Sequence, residues 1–267
     1  MSDMDTGMAV DLNVEEVTRH MVSAVEAAPL ELDPFPYLYA RNLLPDSIYE
    51  QLLRLWPKRE LFHHTNTDRR WEFNHKQMQG LVPEAELKFW HGLNACITTT
   101  NTVVRARFKP HYSVKFEPYL GPKWEDIVGE PEFVETNFQC TTYTGRYGLP
   151  AHVDALRLVT NAFLYVSESD HPEPEHGTIL YRSRGLALPN NWELDPKLMM
   201  PFLDPVAVSP YAANSCLAYI NGPSSFHGVA PHDIGERERR LLMFGSTMYV
   251  RESERIFGEK IRNAIFR

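Results

Sequence analysis

The chain has 267 residues, 43% of them hydrophobic, and a formal net charge of −8 at pH 7. This length and composition are typical of a soluble globular protein, and we expect a single domain over residues 1–267. The acidic balance argues against a partner bound through a phosphate backbone, and no apolar run approaches the roughly 18 residues of a membrane helix. We therefore expect neither a nucleic-acid nor a membrane partner.

Three cysteines, Cys96, Cys140 and Cys216, are scattered along the chain and form no Cys-x-x-Cys pair. This pattern argues against a disulfide framework and against a zinc–thiolate site, and it favours a reducing compartment. The acidic start, Met1 to Asp5, lacks the basic and apolar regions of a secretory signal. The sequence therefore predicts a cytoplasmic location.

The first part of the chain favours helices. Apolar residues at helical spacing follow Asn13, a good N-cap residue, and predict a first helix. Prolines at the start or end of later apolar stretches mark further helix boundaries. The predicted segments are a loose tail at 1–12, helices at 14–27, 46–56 and 83–97, and an extended stretch at 33–39, with the helix-rich part spanning 13–115.

The character of the sequence changes at Phe133, where short β-rich runs begin, separated by Gly, Pro, Asn and Asp. Many short strands with turn residues between them are typical of a sandwich or barrel rather than of βαβ units. The predicted elements are strands at 133–143, 156–166, 177–182, 205–208, 214–220 and 239–250, and a last helix at 252–265. The expected fold class is mainly β with flanking helices.

The segment His152-Val153-Asp154 places an imidazole and a carboxylate two residues apart. On an extended chain such residues project to the same side, so both can bind one metal ion while Val153 faces away. Imidazole and carboxylate together suit a borderline divalent ion such as iron(II), and a third ligand must come from elsewhere. By itself an H-x-D pair is a weak signal.

The context of this pair makes it informative. A glycine-rich turn precedes it, and after a β-rich stretch the chain reads Phe226-His227-Gly-Val, with Arg239 twelve residues beyond His227 at the head of another strand. This order resembles that of the 2-oxoglutarate/iron(II)-dependent dioxygenases, in particular the prolyl-4-hydroxylase-like branch. The resemblance spans about residues 33–250, and its motif-bearing part is 143–244.

The resemblance implies a double-stranded β-helix, or jelly roll, as the core at residues 133–250. It implies that His152, Asp154 and His227 are the metal ligands and the catalytic centre. Fe(II) would be the cofactor, and 2-oxoglutarate and O2 the cosubstrates, with succinate and CO2 as coproducts. In such enzymes the cofactor supplies the chemistry, and the protein positions the reacting groups.

The resemblance also implies residues that bind 2-oxoglutarate. Its distal carboxylate needs a fixed positive charge, for which the planar fork of arginine is suited. The spacing from His227 favours Arg239, with Arg240, on the opposite face of a strand, as the alternate. Tyr143 and Tyr165 are similar to family tyrosines that hydrogen-bond this cosubstrate, although an ordinary packing role stays open for both.

Asp154 and one departure from the family pattern refine these expectations. Related halogenases have Ala or Gly in place of this aspartate, so its presence favours oxidation without halide. His176 stands where the family has the first glycine of a turn, and we predict that it lies in a surface loop. Tyr219, near Tyr211 and Phe226, is expected to be a packing residue.

Three functions remain open. The first is hydroxylation or another oxidation of a small molecule, such as an amino acid or a biosynthetic intermediate, with the long segment 183–204 as a candidate lid. The second is the same chemistry on a peptidyl side chain such as proline. The third is a cupin-like metal-dependent isomerase or a non-catalytic binding protein, since a jelly roll hosts many functions. The oligomeric state stays undetermined.

Overall fold

The computed structural model describes residues 12–65, 70–169, 171–189 and 195–258. Its α-helices are α1 (Val14–Ala27), α2 (Asp46–Arg54), α3 (His75–Met78), α4 (Glu84–Phe108), α5 (Ser113–Leu120), α6 (Trp124–Val128), α7 (Pro196–Met199) and α8 (Val250–Phe257). Its strands are β1 (Leu30–Glu31), β2 (Tyr37–Ala40), β3 (His63–His64), β4 (Arg70–Asn74), β5 (Phe133–Glu135), β6 (Gln139–His152), β7 (Leu158–Tyr165), β8 (Glu173–Ser183), β9 (Leu203–Tyr211), β10 (Ser215–Ile220) and β11 (His227–Met248). Among these helices, none is long and apolar enough to cross a bilayer.

Helix α1 forms where its cap and its apolar spacing predict it. The Asn13 side chain accepts a hydrogen bond from the Glu16 backbone N–H at 3.3 Å, which satisfies a donor that the first helical turn leaves free. Val17, Met21 and Val25, four residues apart, form its buried stripe. This stripe packs with the long helix α4 in the main apolar core, which lies between the helices and one face of the sheet.

The strands form two antiparallel layers because two of them are long enough to belong to both. The larger layer has the order β1-β2-β10-β7-β11-β6-β4-β3. In the smaller layer, the last part of β6 pairs with the first part of β11, which pairs with β8, which pairs with β9. Register shifts in the β6–β11 pairing mark the bends between the layers. This arrangement is a double-stranded β-helix, so the predicted fold class is confirmed.

The larger layer has two distinct faces, as the alternation of side chains along a strand requires. Cys140 and Leu242 face the helices and belong to the main apolar core. Tyr143, Tyr165 and Leu241 face the interior of the β-helix and belong to a second, aromatic-rich cluster. Arg239, which pairs with Tyr143, lies on this same inner face.

Several predicted boundaries were wrong. Helix α4 continues to Phe108 instead of ending near Ile97. The stretch 173–176, predicted as a surface loop, is the start of β8, and His176 is 7% exposed, because its ring contacts His232 and Arg237 of β11. The predicted helix at 252–265 is α8, which ends at Phe257. Three segments with predictions lie outside the described residues. Residues 1–11 are most of the predicted tail, residues 190–194 are part of the predicted lid, and residues 259–267 include the last part of the predicted helix at 252–265.

Candidate metal centre

Two strand ends and a short loop bring three potential metal ligands together. His152 is the last residue of β6, Asp154 follows it, and His227 is the first residue of β11. His152 and His227 are direct partners in the pairing of β6 with β11. Nε2 of His152 lies 3.8 Å from Oδ1 of Asp154, and Nε2 of His227 lies 3.7 Å from Oδ2. The three ligand atoms all lie within 4.8 Å of one another, a spacing that is compatible with one shared cation.

Both histidines use Nδ1 for a hydrogen bond to a backbone carbonyl, and Nε2 of His227 also lies 2.9 Å from the Tyr219 hydroxyl. Nδ1 of His152 lies 2.9 Å from the carbonyl oxygen of Pro150, and Nδ1 of His227 lies 3.1 Å from that of Ser225. A carbonyl oxygen accepts hydrogen bonds only, so each Nδ1 carries the proton in the neutral ring. Each Nε2 then presents its lone pair toward Asp154, which is the tautomer that a metal-binding histidine needs.

Asp154 is held by two side chains from neighbouring strands of the larger layer. The Tyr219 hydroxyl on β10 and the Asn161 amide on β7 donate to its Oδ2, at 2.6 Å and 2.9 Å. Burial favours the neutral acid, but the imidazoles of His227 and His152 and these two hydrogen bonds lower the pKa of Asp154 below its usual value. The carboxylate is therefore ionised and oriented, as a metal ligand must be.

Burial also sets the protonation state of His227. The ring is 3% exposed, and this desolvation, helped by the nearby His152, lowers the pKa of His227 to about 4. The imidazole is therefore neutral near pH 7 and able to coordinate a metal ion.

Asn221 and Lys115 hold the loop that follows Asp154 through hydrogen bonds to its backbone. The Asn221 side chain accepts from the Asp154 backbone N–H at 3.2 Å and donates to the carbonyls of Ala155 and Leu158. Lys115, on α5, is 1% exposed and donates to the carbonyls of Leu156, Leu158 and Asn221, at 2.8, 2.7 and 3.2 Å. The ammonium thus has an acceptor for each of its three protons, although burial lowers the pKa of Lys115 to about 7.

Arg239 is a buried cation without a carboxylate partner among the described residues. It is 2% exposed, and its Nε donates to the His176 carbonyl at 2.7 Å. Its guanidinium carbon lies 5.4–5.8 Å from the ring centroids of four tyrosines, which are Tyr143, Tyr147, Tyr165 and Tyr211. Nε makes the guanidinium's only hydrogen bond within the described part of the chain, so the two terminal nitrogens remain available for an anion.

Arg240 faces the other way. Its guanidinium forms ion pairs with Glu168 and Glu238, at 2.7 and 2.9 Å, and lies 5.8 Å from the ring of Trp56 on the outside of the larger layer. The opposite directions of Arg239 and Arg240 follow from the alternation of side chains along β11.

Tyr143 and Tyr165 both line the space around Arg239. Tyr143 pairs with Arg239 across β6 and β11, and its ring centroid lies 4.0 Å from that of Tyr147. The Tyr165 hydroxyl hydrogen-bonds to the hydroxyls of Thr178 and Ser209, at 2.8 and 3.2 Å. Burial raises the pKa of Tyr165, so its hydroxyl stays neutral and can donate a hydrogen bond.

One cavity joins these groups. It has a volume of about 620 Å³, and its wall includes the three potential ligands, Arg239 and Tyr143. The buried arginine lies on the inner face of the larger layer, whereas His152 and His227 stand where the smaller layer begins. The three potential metal ligands and the Arg239 guanidinium therefore lie in the wall of the same cavity.

Solved structures similar to this chain include members of the 2-oxoglutarate/iron(II) oxygenase family. A Pseudomonas putida prolyl-4-hydroxylase is 14% identical, with 86% of this chain and 99% of that chain covered and a TM-score of 0.47. HygX from Streptomyces hygroscopicus, bound to nickel, 2-oxoglutarate and hygromycin B, is 13% identical over 80% and 83%, with a TM-score of 0.46. SnoN, an alpha-ketoglutarate-dependent epimerase from nogalamycin biosynthesis, is 9% identical over 88% and 83%, with a TM-score of 0.45.

No family model and no curated protein matches the chain. The similar structures belong to the family that the sequence motifs resemble, but their identities and TM-scores are low. The activity of this chain therefore has to follow from its own side chains, because one fold serves many unrelated chemistries.

The structure adds site residues that the sequence reasoning missed. Tyr219, expected only to pack, hydrogen-bonds Asp154, and Asn161 does the same. Asn161 had a usable signal, since it is a polar amide inside an apolar strand sequence. Lys115 and Asn221 had no such signal, because nothing local in the sequence shows that they meet the Asp154 loop.

Proposed function

We propose that the chain is an Fe(II)- and 2-oxoglutarate-dependent oxygenase that hydroxylates a small molecule. The single observation that carries this proposal is the position of Arg239, a buried guanidinium in the same cavity as His152, Asp154 and His227 whose two terminal nitrogens have no hydrogen-bond partner among the described residues. A metal site alone occurs in many kinds of protein. A metal site that shares its cavity with an arginine without an ionic partner indicates a ligand that binds the metal and carries a second carboxylate.

The residues fit iron(II). Two neutral imidazoles and one carboxylate on one side of a metal leave positions open for ligands, and this donor set is typical of non-haem iron(II) oxygenases. His152 and His227 would supply Nε2, and Asp154 would supply Oδ1, since Tyr219 and Asn161 occupy its Oδ2. A metal bound there would supply the O2 chemistry.

The residues also fit 2-oxoglutarate. Arg239 would hold the carboxylate remote from the metal through its two free nitrogens, and the tyrosine rings around it would exclude water from this ion pair. The Tyr165 hydroxyl and that of Tyr143 would add hydrogen bonds. In the balanced reaction, substrate R–H, 2-oxoglutarate and O2 give R–OH, succinate and CO2.

The size of the cavity favours a small-molecule substrate over a peptidyl one. Its volume of about 620 Å³ lies within the range of roughly 300–1,000 Å³ that is usual for small-molecule sites. A peptidyl substrate, such as a prolyl side chain, remains the second candidate, and oxidation with epimerisation is a further outcome of the same chemistry. A cupin-like isomerase or a binding protein has no need of a buried, unpaired Arg239.

The test is an anaerobic titration of the Fe(II)-loaded protein with 2-oxoglutarate, followed by measurement of succinate under air. We expect a weak visible charge-transfer band and succinate formation, and we expect both to be lost in His227→Ala. His171→Ala, which removes an exposed histidine, is the matched control. The absence of both the band and succinate in the unaltered protein would overturn the proposal.

A further inference from the structure

We propose that Arg70 and Glu72 bind the two charged groups of a free α-amino acid, which makes a zwitterion the substrate of this cavity. The inference rests on the proposed function, because it concerns the second ligand of the same site. Both side chains project from β4 into the cavity that the three potential metal ligands line.

The position of Arg70 follows from strand register. Arg70 pairs with Tyr143 across β4 and β6, and Tyr143 pairs with Arg239 across β6 and β11. Directly paired residues share a face of a sheet, so the three side chains form one row on the inner face. The guanidinium carbons of Arg70 and Arg239 lie 5.9 and 5.6 Å from the Tyr143 ring centroid.

The two arginines of this row differ in charge balance and in depth. Arg239 is 2% exposed, and none of the ion pairs within the described residues involves it. Arg70 forms an ion pair of 2.6 Å with Glu72, and their side chains are 23% and 18% exposed. Arg239, which is deeper and has no ion pair within the described residues, suits the anionic 2-oxoglutarate. Arg70 and Glu72, which lie further out, suit a substrate that enters the cavity after 2-oxoglutarate.

The charges beside Arg70 and Glu72 then indicate the kind of ligand. A divalent metal, the Asp154 carboxylate, the Arg239 guanidinium and doubly ionised 2-oxoglutarate cancel, and so do Arg70 and Glu72, which leaves Arg157 as the remaining charged side chain of the cavity wall. A lone anion on Arg70 would stand beside the Glu72 carboxylate, and a lone cation on Glu72 would stand beside the guanidinium, both unfavourable. An α-amino acid avoids both repulsions, because its carboxylate can meet Arg70 while its ammonium meets Glu72.

The outer pair also retains hydrogen-bonding capacity. The Arg70 Nε is buried without a hydrogen-bond partner in the described part of the chain, and an Nη2 contact of 3.7 Å reaches the Met243 sulfur, a weak acceptor. Besides Arg70, Glu72 has one ionic neighbour among the described residues, Nε2 of His63 at 3.9 Å. By contrast Arg157, also in the cavity wall, donates Nε and Nη2 to the Met248 carbonyl.

The first part of the test is a substrate screen. The Fe(II)-loaded protein with 2-oxoglutarate is supplied under air with each standard L-α-amino acid, and succinate is measured. We expect at least one free amino acid to raise the rate about tenfold or more. Its carboxamide and its N-acetyl derivative, which each lack one charge, are expected to give no such stimulation.

The second part uses variants with the amino acid so found. Arg70→Met and Glu72→Gln are each expected to raise its KM about tenfold or more, because hydrogen bonds to charged groups contribute strongly to binding. The Kd of 2-oxoglutarate, from the visible band of the anaerobic complex, should change less than about twofold, since Arg239 remains. Arg251→Met, which removes an arginine from an exposed ion pair with Glu132, is the matched control and should leave KM unchanged.

The outcomes separate this inference from the proposed function. If the visible band forms but no free amino acid stimulates, or if the blocked derivatives stimulate equally, the zwitterion assignment is overturned and the oxygenase proposal stands. An equal rise of KM in Arg251→Met would also overturn it. If neither the band nor succinate appears, the proposed function fails and this inference fails with it.

Discussion

His152 and His227 are direct partners in the pairing of β6 with β11, and their ring centroids lie 4.3 Å apart. Two of the three potential ligands thus belong to one rung of a β-ladder, and Asp154 follows one of them after a single residue. Sites on strand ends are more rigid than sites on long loops. Backbone hydrogen bonds therefore hold the two histidines beside each other.

Arg239→Met is expected to raise the Kd of 2-oxoglutarate about 10- to 100-fold, because a charged hydrogen bond contributes about 1.5–3 kcal/mol. Fe(II) affinity should change less than about twofold, since the three ligands are untouched. Titration of the visible band measures both. Arg240→Met, whose arginine pairs with Glu168 and Glu238 outside the cavity, is the control. A loss confined to Arg240→Met would transfer the role to that residue.

Tyr219→Phe is expected to weaken Fe(II) binding about 10- to 100-fold, the usual effect of losing a hydrogen bond that orients a metal ligand. The change removes only the hydroxyl, which donates to Asp154 at 2.6 Å and lies 2.9 Å from Nε2 of His227. Isothermal titration with Fe(II) under anaerobic conditions measures the effect. Tyr119→Phe removes a hydroxyl that donates to the Leu188 and Pro189 carbonyls instead, and it should leave the affinity unchanged. Equal affinities in Tyr219→Phe and the unaltered protein would contradict the assignment.

Lys115→Met is expected to weaken Fe(II) binding about tenfold, because the loop after Asp154 loses the donor that holds its carbonyls. Methionine keeps the apolar volume, and the exposed Lys123→Met provides the control. The free energy of unfolding is measured alongside the Fe(II) affinity. A lower stability with unchanged Fe(II) affinity would show that Lys115 serves the fold and not the site.

The metal-free protein should lose stability as the pH falls from about 6.5 to about 4. The pKa of His227 is about 4 in the folded chain, against about 6.5 in an unfolded one. The unfolded state binds more protons in this window, so the free energy of unfolding decreases as the pH falls, by up to about 3 kcal/mol from this residue. Above pH 6.5, the imidazole is neutral in both states and this contribution is constant.

Urea denaturation of the metal-free protein at about pH 7 and about pH 5 measures this effect. His227→Gln lacks the titrating group and should show a shallower loss between the two pH values. Parallel losses in the two proteins would contradict the prediction.

Local patterns in the sequence predicted much of the fold and part of the candidate site. The cap and spacing at Asn13 to Val25 predicted α1, and the β-rich runs after Phe133 predicted the class of the fold. The alternation of side chains along a strand put Asp154 on the side of His152, and Arg239 and Arg240 on opposite faces. These features depend on neighbours within a few residues, and the period of a helix or a strand is enough to infer them.

Only the tertiary structure decided which distant residues meet. The register of β6 with β11 places His227 opposite His152, and that of β4 with β6 places Arg70 beside Tyr143. Helix α5 brings Lys115 to the Asp154 loop, and β11 brings His232 and Arg237 against His176. Such contacts join segments that are far apart in the chain, and their register depends on packing and bulges that no local period encodes.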